Sequence, residues 1–320
     1  MTTVINAIIS SGRHNSRAPY QAERIIELME KNDESSMRPD VVTYTSLIKC
    51  WNESGHHKAV NRAEEIIKML HAKYEKGHVE CKPDTMVYNV AMNALAKSVV
   101  SPERAEALLN RMLDCYYAGD VDLAPTTQSF STVILAWARS NDPRGAKKSE
   151  QLLQTMHQLE KSGLGNVSPN TICYTTAILA WKNSGSPNAG EHADALIEQM
   201  ELYEARGLHN LKPNAITFTN AMEAWINSRH PNSLDKVESI MDKMIDRARN
   251  GDRDSEPTTM AFNVVMKAIR HSSIPLKYQK AESLLNRMKD CDVGRVKPSI
   301  VTYNAVSMMS SSSFLFFCQT

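Results

Sequence analysis

Prolines recur at positions 39, 83, 125, 169, 213, 257 and 298, at intervals of 44, 42, 44, 44, 44 and 41 residues. Five residues after each stands an aromatic ring: Tyr44, Tyr88, Phe130, Tyr174, Phe218, Phe262 and Tyr303. Twelve residues after the first six prolines stands a large apolar residue, namely Trp51, Leu95, Trp137, Trp181, Trp225 and Ile269. Six residues before the five prolines from 83 to 257 stands a glycine: Gly77, Gly119, Gly163, Gly207 and Gly251. A period held this strictly means one supersecondary unit used repeatedly. Length alone, at 320 residues, would suggest about two ordinary domains. An array has no single core to saturate, and it escapes that expectation.

Each unit reads as two helices. In the first, Tyr44, Leu47, Ile48 and Trp51 fall at i, i+3, i+4 and i+7, one apolar stripe at the helical period. In the second, Ala63, Ile66, Ile67 and Leu70 repeat that spacing, as do Ala105, Leu108, Leu109 and Met112 and again Ala281, Leu284, Leu285 and Met288. The glycine stands where the second helix should stop, at its C′ position. The proline then blocks further helix, and the Asp, Asn, Thr or Ser after it caps the next one. Polar segments such as 183–188 separate the two helices, and no strand-like alternation competes. A single helix pair cannot bury both stripes, so the units must stack. The expected fold is all-α, a right-handed superhelical solenoid of stacked antiparallel helix-pair repeats. Its expected divisions are a partial first repeat over 1–40, six tandem repeats of 41–44 residues over 41–299, and a truncated last repeat with a divergent tail over 300–320.

Composition excludes more than it suggests. The net charge of +1 gives no nucleic-acid footprint, so any basic surface must come from local segregation of Lys and Arg. The six cysteines are scattered without a C-x-x-C pair and read as reduced thiols. No stretch approaches the ~18 apolar residues of a membrane span, and no signal or transit peptide is visible. His78-x-Glu80 lacks the P-C-x-x-C of a zinc deaminase, and there is neither a phosphate-cradling glycine loop nor G-x-S-x-G. The expectation is no catalysis, no metal and no cofactor. The four tryptophans, at i+7 from the repeat aromatic, and Met112, Met156, Met200, Met244 and Met288 are expected in the core.

The strings Pro39-Asp-Val-Val-Thr-Tyr-Thr-Ser-Leu-Ile, Pro83-Asp-Thr-Met-Val-Tyr-Asn and Pro298-Ser-Ile-Val-Thr-Tyr-Asn resemble the opening P-D-x-x-T-Y-N-x-L-I of the pentatricopeptide repeat family. Ala-Glu-x-x-Leu-Asn-Arg-Met, found from Ala105 to Met112 and from Ala281 to Met288, resembles that family's second helix. The resemblance runs from about residue 4 to 305, with units mostly 44 residues long against the family's 35. One to three of the extra residues lie between the helices. About six follow the Met position, and half of these should lengthen the second helix. The first unit begins near Ile5 without a preceding proline, and the last loses the pattern after Asn304, as expected of a fragment, a mis-terminated product or a divergent cap.

The resemblance implies a site. In that family each RNA base is read by the residue after the aromatic together with the residue after the following proline. Transferred by position, the pairs are Asn6/Asp40, Thr45/Asp84, Asn89/Thr126, Ser131/Asn170, Thr175/Asn214, Thr219/Thr258 and Asn263/Ser299, with Asn304 unpaired. The second member of each pair would also be chosen by helix capping alone. The first member is more telling. Asn, Thr and Ser are mediocre interior helix formers, about half a kcal/mol worse than Ala, yet they suit hydrogen bonding to splayed bases. Two residues before the aromatics, Val42, Met86, Ile172, Ile216, Met260 and Val301 are apolar and match the side chains that sandwich bases in the family; Gln128 breaks that row. Ordinary packing between repeats would explain the same residues. Arg38, Lys82, Lys212 and Lys297 are placed to touch phosphates. The family's pairing preferences imply U-G-(pyrimidine)-A-A-(purine)-C. The implied role is single-stranded RNA binding in organellar RNA processing, stability or translation, in mitochondrion or plastid, alongside other RNA-processing proteins. A protein-binding helical-repeat scaffold, or the RNA-binding part of a longer RNA-processing enzyme, stands as the alternative.

Overall fold

The structure is a computed structural model that describes residues 15–31, 38–98, 102–164, 166–294 and 296–317. The regular elements among those residues are all helices, without a strand. Contacts divide them into two compact units. One runs to Ser140 and takes in Gln154–Ser168; the other comprises Asn141–Leu153 and continues from Pro169.

In the first unit the helices are α1 (Ala18–Glu30), α2 (Val41–Ser54), α3 (Ala59–Glu75), α4 (Thr85–Ser98), α5 (Pro102–Tyr117) and α6 (Thr127–Arg139). Helix α2 packs on α1, α3 and α4, and α4 packs in turn on α3, α5 and α6. Helix α7 (Gly145–Lys161) is divided between the units. The second unit continues with α8 (Thr171–Ser184), α9 (Ala189–Ala205), α10 (Ala215–Ser228), α11 (Ser233–Arg249), α12 (Thr259–His271), α13 (Lys277–Lys289) and α14 (Ile300–Phe317). There α10 touches α8, α9, α11 and α12, and α12 touches α10, α11, α13 and α14. In both units the first helix of a repeat lies against its own second helix and against the first helices before and after it.

The boundaries follow from local chemistry. Gly77, Gly119, Gly163, Gly207 and Gly251 have φ from 87° to 100°, a conformation open to glycine and strained for other residues. At α3 the Gly77 amide donates to the Tyr74 carbonyl and the His78 amide to that of Lys73. This double closure recurs at Gly119, Gly163, Gly207 and Gly251 and satisfies carbonyls that the helix end leaves open. Between glycine and proline the chain makes a short 3₁₀ turn, as at Val79–Cys81 and Val121–Leu123, that buries Cys81 or Leu123. The residues added after the Met position are thus spent on a longer second helix and on this turn. Another tie spans repeats: Thr85, Thr127, Thr171 and Thr259 each donate a hydroxyl to a carbonyl just before the next proline, at 2.8–3.1 Å.

The aromatics fill the spaces between helices. Tyr44, Tyr88, Phe130, Tyr174, Phe218 and Phe262 are buried, whereas Tyr303, with no second helix after it among the described residues, is 50% exposed. Each buried tryptophan also needs a partner for its indole N–H. Trp51, Trp137, Trp181 and Trp225 donate to Glu23, Glu106, Glu150 and Asp194 at 2.8–3.1 Å, always on the preceding second helix. A Cβ on Gly190 in α9 would lie 2.2 Å from the Trp225 ring. The Trp225–Asp194 bond resists the movement needed to relieve that clash. Gly190→Ala should therefore destabilise the chain by about 1–3 kcal/mol, the usual cost of overpacking, read as a lowered melting temperature; an unchanged or raised one would contradict this packing.

The His71 ring nitrogen Nε2 lies 2.8 Å from the Tyr88 hydroxyl. Burial first, then Arg111, lowers its pKa, so the ring is neutral in the fold. The unfolded chain takes up the proton near the ordinary histidine value of about 6.5, and the fold does so only at lower pH. The stability carried by neutral His71 is therefore complete above that value and is lost as pH falls through the depressed one. Denaturation midpoints at pH 7.5 and 5.5 should differ more for the wild type than for His71→Gln; equal losses would refute it.

Candidate nucleic-acid interface

The residue after each of the seven repeat-opening prolines caps the helix it opens. Side-chain oxygens of Asp40, Asp84, Thr126, Asn170, Asn214, Thr258 and Ser299 accept from the backbone amides of Thr43, Val87, Ser129, Cys173, Thr217, Ala261 and Thr302, at 2.8–3.4 Å. Each such cap contributes about 1 kcal/mol, so capping alone accounts for these residue types. It also fixes where each side chain stands. One oxygen is engaged, and the remaining lone pairs or amide hydrogens stay available.

The residues after the aromatics divide into two groups. Thr45 and Thr219 are buried and donate back to their own helices, to the carbonyls of Val41 at 2.7 Å and Ala215 at 2.6 Å. Ser131 does likewise, to Gln128 at 3.1 Å. Asn89, Thr175 and Asn263 instead meet the next repeat. The Asn89 carbonyl oxygen accepts from the Ser129 hydroxyl at 2.7 Å, and its amide lies 3.5 Å from the Thr126 hydroxyl. Thr175 meets the Thr217 hydroxyl at 2.7 Å, and the Asn263 carbonyl oxygen accepts from Thr302 at 2.7 Å. The structure thus joins Asn89 with Thr126 directly, and Thr175 with Asn214 and Asn263 with Ser299 through one hydroxyl. It turns Thr45 and Thr219 away from Asp84 and Thr258. Asn304 is exposed, and Asn6 lies outside the described residues.

The apolar row stands in solvent. Val42, Met86, Ile172, Ile216, Met260 and Val301 are 53–66% exposed, although the aromatic two residues after the first five of them is buried. Packing between repeats therefore does not explain these residues. Burying a side chain of this kind is worth about 1.5–3 kcal/mol, and this register gives up much of that gain six times. Gln128, also exposed, folds back onto the Thr132 hydroxyl at 3.1 Å. In the second unit the caps and the apolar row share an open cleft of about 480 Å³ lined by Thr171, Lys212, Asn214, Ala215, Ile216 and Asp254.

Charge is segregated even though the sum is near zero. Lys82 pairs with Asp120 at 3.0 Å and Asp122 at 2.5 Å, and Lys212 with Asp252 at 2.5 Å and Asp254 at 3.3 Å. These carboxylates raise the pKa of both lysines and occupy groups that the sequence offers for phosphate contact. Many of the other cations tie second helices together: Arg62 to Glu23, Arg104 to Glu64, Lys243 to Glu201, Arg247 to Glu204 and Lys280 to Glu238. At the C-terminal ends of α8, α10 and α12 a cleft of about 460 Å³ is instead lined by Lys182, Arg229, Lys267 and His271 among asparagines. Lys182 is paired there with Glu223. Burial first, and then Arg270, Lys267, Lys277 and Arg229, lower the His271 pKa. Arg229 and Lys267 are thus the cations that line this cleft beside the Lys182–Glu223 pair.

Sequence reasoning missed Ser129, Thr217 and Thr302 as members of the site, because their partners lie 39–42 residues away. It also missed the aspartates facing Lys82 and Lys212. Among the described residues no group of His, Cys, Asp and Glu could hold a metal, and no helix is long and apolar enough to cross a membrane.

Comparison with known proteins comes to the same kind of repeat. A model of the pentatricopeptide repeat domain matches residues 25–98. A chloroplastic pentatricopeptide repeat-containing protein of Arabidopsis thaliana is 25% identical over 145 residues, covering 45% of this chain and 16% of that protein. A second pentatricopeptide repeat-containing protein of Arabidopsis thaliana is 21% identical, covering 43% of this chain and 26% of its own length. The chain therefore spans only 16% and 26% of the lengths of these two relatives. These matches, with the proline and aromatic periods, support the pentatricopeptide repeat family.

If the apolar row does no structural work, replacing it should cost the fold little. Ile172→Asn with Ile216→Asn should shift stability by no more than about 0.5 kcal/mol per site, as for surface changes. A cooperative loss of several kcal/mol in a denaturant titration would show that these side chains pack.

Proposed function

We infer that this chain of pentatricopeptide-type repeats binds single-stranded RNA along its first helices, one base per repeat, without catalysis of its own. The observation that carries the reading is the row Val42, Met86, Ile172, Ile216, Met260 and Val301, exposed at one register beside polar side chains at another. An unstacked base needs that combination: apolar surface against its faces and hydrogen-bonding groups at its edge. A helical-repeat protein that binds RNA is what the family suggests. The finer assignments are ours: the base-reading pairs, the order U-G-(pyrimidine)-A-A-(purine)-C, and action on organellar transcripts. The last draws on the chloroplastic relative. A protein that coats a short single strand shields it from nucleases or remodels its structure, and neither task needs an active site.

The test is a gel-shift titration at moderate, stated salt with single-stranded RNA containing UGYAARC, a shuffled RNA, the DNA version and a duplex. The intended RNA should bind best, and Thr175→Ala with Asn214→Ala should weaken it about tenfold or more, the loss of one or two hydrogen bonds. Equal binding of all single strands would retain the RNA function and reject the assigned pairs. Absence of binding to every nucleic acid would favour a protein-binding scaffold.

A further inference from the structure

The residue just before each aromatic alternates strictly along the chain: Thr43, Val87, Ser129, Cys173, Thr217, Ala261 and Thr302. The alternation decides what the residue after the preceding aromatic does. Where the following repeat brings Ser129, Thr217 or Thr302, the partner side chains Asn89, Thr175 and Asn263 are held across the repeat boundary. Where it brings Val87, Cys173 or Ala261, the hydroxyls of Thr45, Ser131 and Thr219 turn back to carbonyls of their own helices.

The held group has a defined polarity. The Ser129 hydroxyl accepts the backbone amide of Thr126 at 3.1 Å, and its single hydrogen goes to the Asn89 carbonyl oxygen at 2.7 Å. Thr302 accepts from the Ser299 amide at 3.1 Å and donates to the Asn263 carbonyl oxygen at 2.7 Å. Thr217 likewise accepts from the Asn214 amide at 3.2 Å and meets Thr175 at 2.7 Å. In each case the hydroxyl bridges the two side chains of one base-reading pair. With their carbonyl oxygens engaged by Ser129 and Thr302, Asn89 and Asn263, both half-buried, are left with amide N–H groups to donate, one of them on Asn89 facing the Thr126 hydroxyl at 3.5 Å.

We propose that Ser129, Thr217 and Thr302 are specificity-determining positioning residues, a third position of the site in alternate repeats. By holding Asn89 and Asn263 as donors, Ser129 and Thr302 favour bases that present an acceptor, such as the O2 of a pyrimidine. The pairs followed by Val87, Cys173 and Ala261 lack this constraint and discriminate less. The proposal rests on the RNA-binding reading above.

The experiment selects bound sequences from a randomised single-stranded RNA pool, using the full chain, and compares base preference position by position. Wild type is run beside Ser129→Ala, Thr302→Val and the isosteric converse Val87→Thr. Ser129→Ala and Thr302→Val should relax the preference only at the bases facing Asn89 and Asn263, by about threefold or more, the scale of one hydrogen bond. Val87→Thr should sharpen the preference at the base facing Thr45. Melting temperatures identify any variant that fails through the fold, and the three variants report independently. Wild-type preferences left unchanged by all three substitutions would overturn the proposal while sparing the RNA-binding reading. A wild type that selects no RNA would overturn both.

Discussion

The hydrogen bond from the third amide of each first helix to the residue after its proline sets where that helix starts, and every other row is counted from that start. Asp40, Asp84, Thr126, Asn170, Asn214, Thr258 and Ser299 all make this bond. A helix begun one residue later would rotate its side chains by about 100°, carrying Tyr88 out of the core and Met86 away from the surface. Glycine at the end of the second helix and the 3₁₀ turn after it deliver the proline to the same place in each repeat. The core and the exposed rows are thus two consequences of one boundary.

Charge is divided between the two helix layers as well. Cations on the second helices are used in pairs such as Arg104 with Glu64 and Arg247 with Glu204, which join one repeat to the next. Partly exposed pairs of this kind are individually worth at most about 1 kcal/mol; their effect here is to leave that layer balanced. At the ends of the first helices Arg229 and Lys267 line a cleft together with Lys182, which is paired with Glu223. A sum over the whole composition averages these two layers together.

Much of the fold was legible in the sequence, because its determinants are local. Gly77, Pro83 and Asp84 each act through backbone geometry within a few residues, and the period repeats the message. The site was less legible. Nothing in the string Thr-Met-Val-Tyr tells whether Met86 packs or stands in water; that depends on how the neighbouring repeat sits. The bond from Ser129 to Asn89 spans 40 residues, and the pairing of Lys82 with Asp122 spans as many. Contacts between repeats carry no local signature, although the alternation of Val87, Ser129, Cys173, Thr217 and Ala261 was visible in the sequence and marks where to look.

If successive repeats take successive bases through a shared register, affinity must depend on RNA length in steps. The most direct measurement is affinity as a function of RNA length, with single strands of one composition lengthened a nucleotide at a time at constant salt. The seven proposed base-reading pairs predict that affinity climbs with each added nucleotide and levels off near seven. A plateau far from that length, or affinity that follows total charge without levelling off, would contradict one base per repeat.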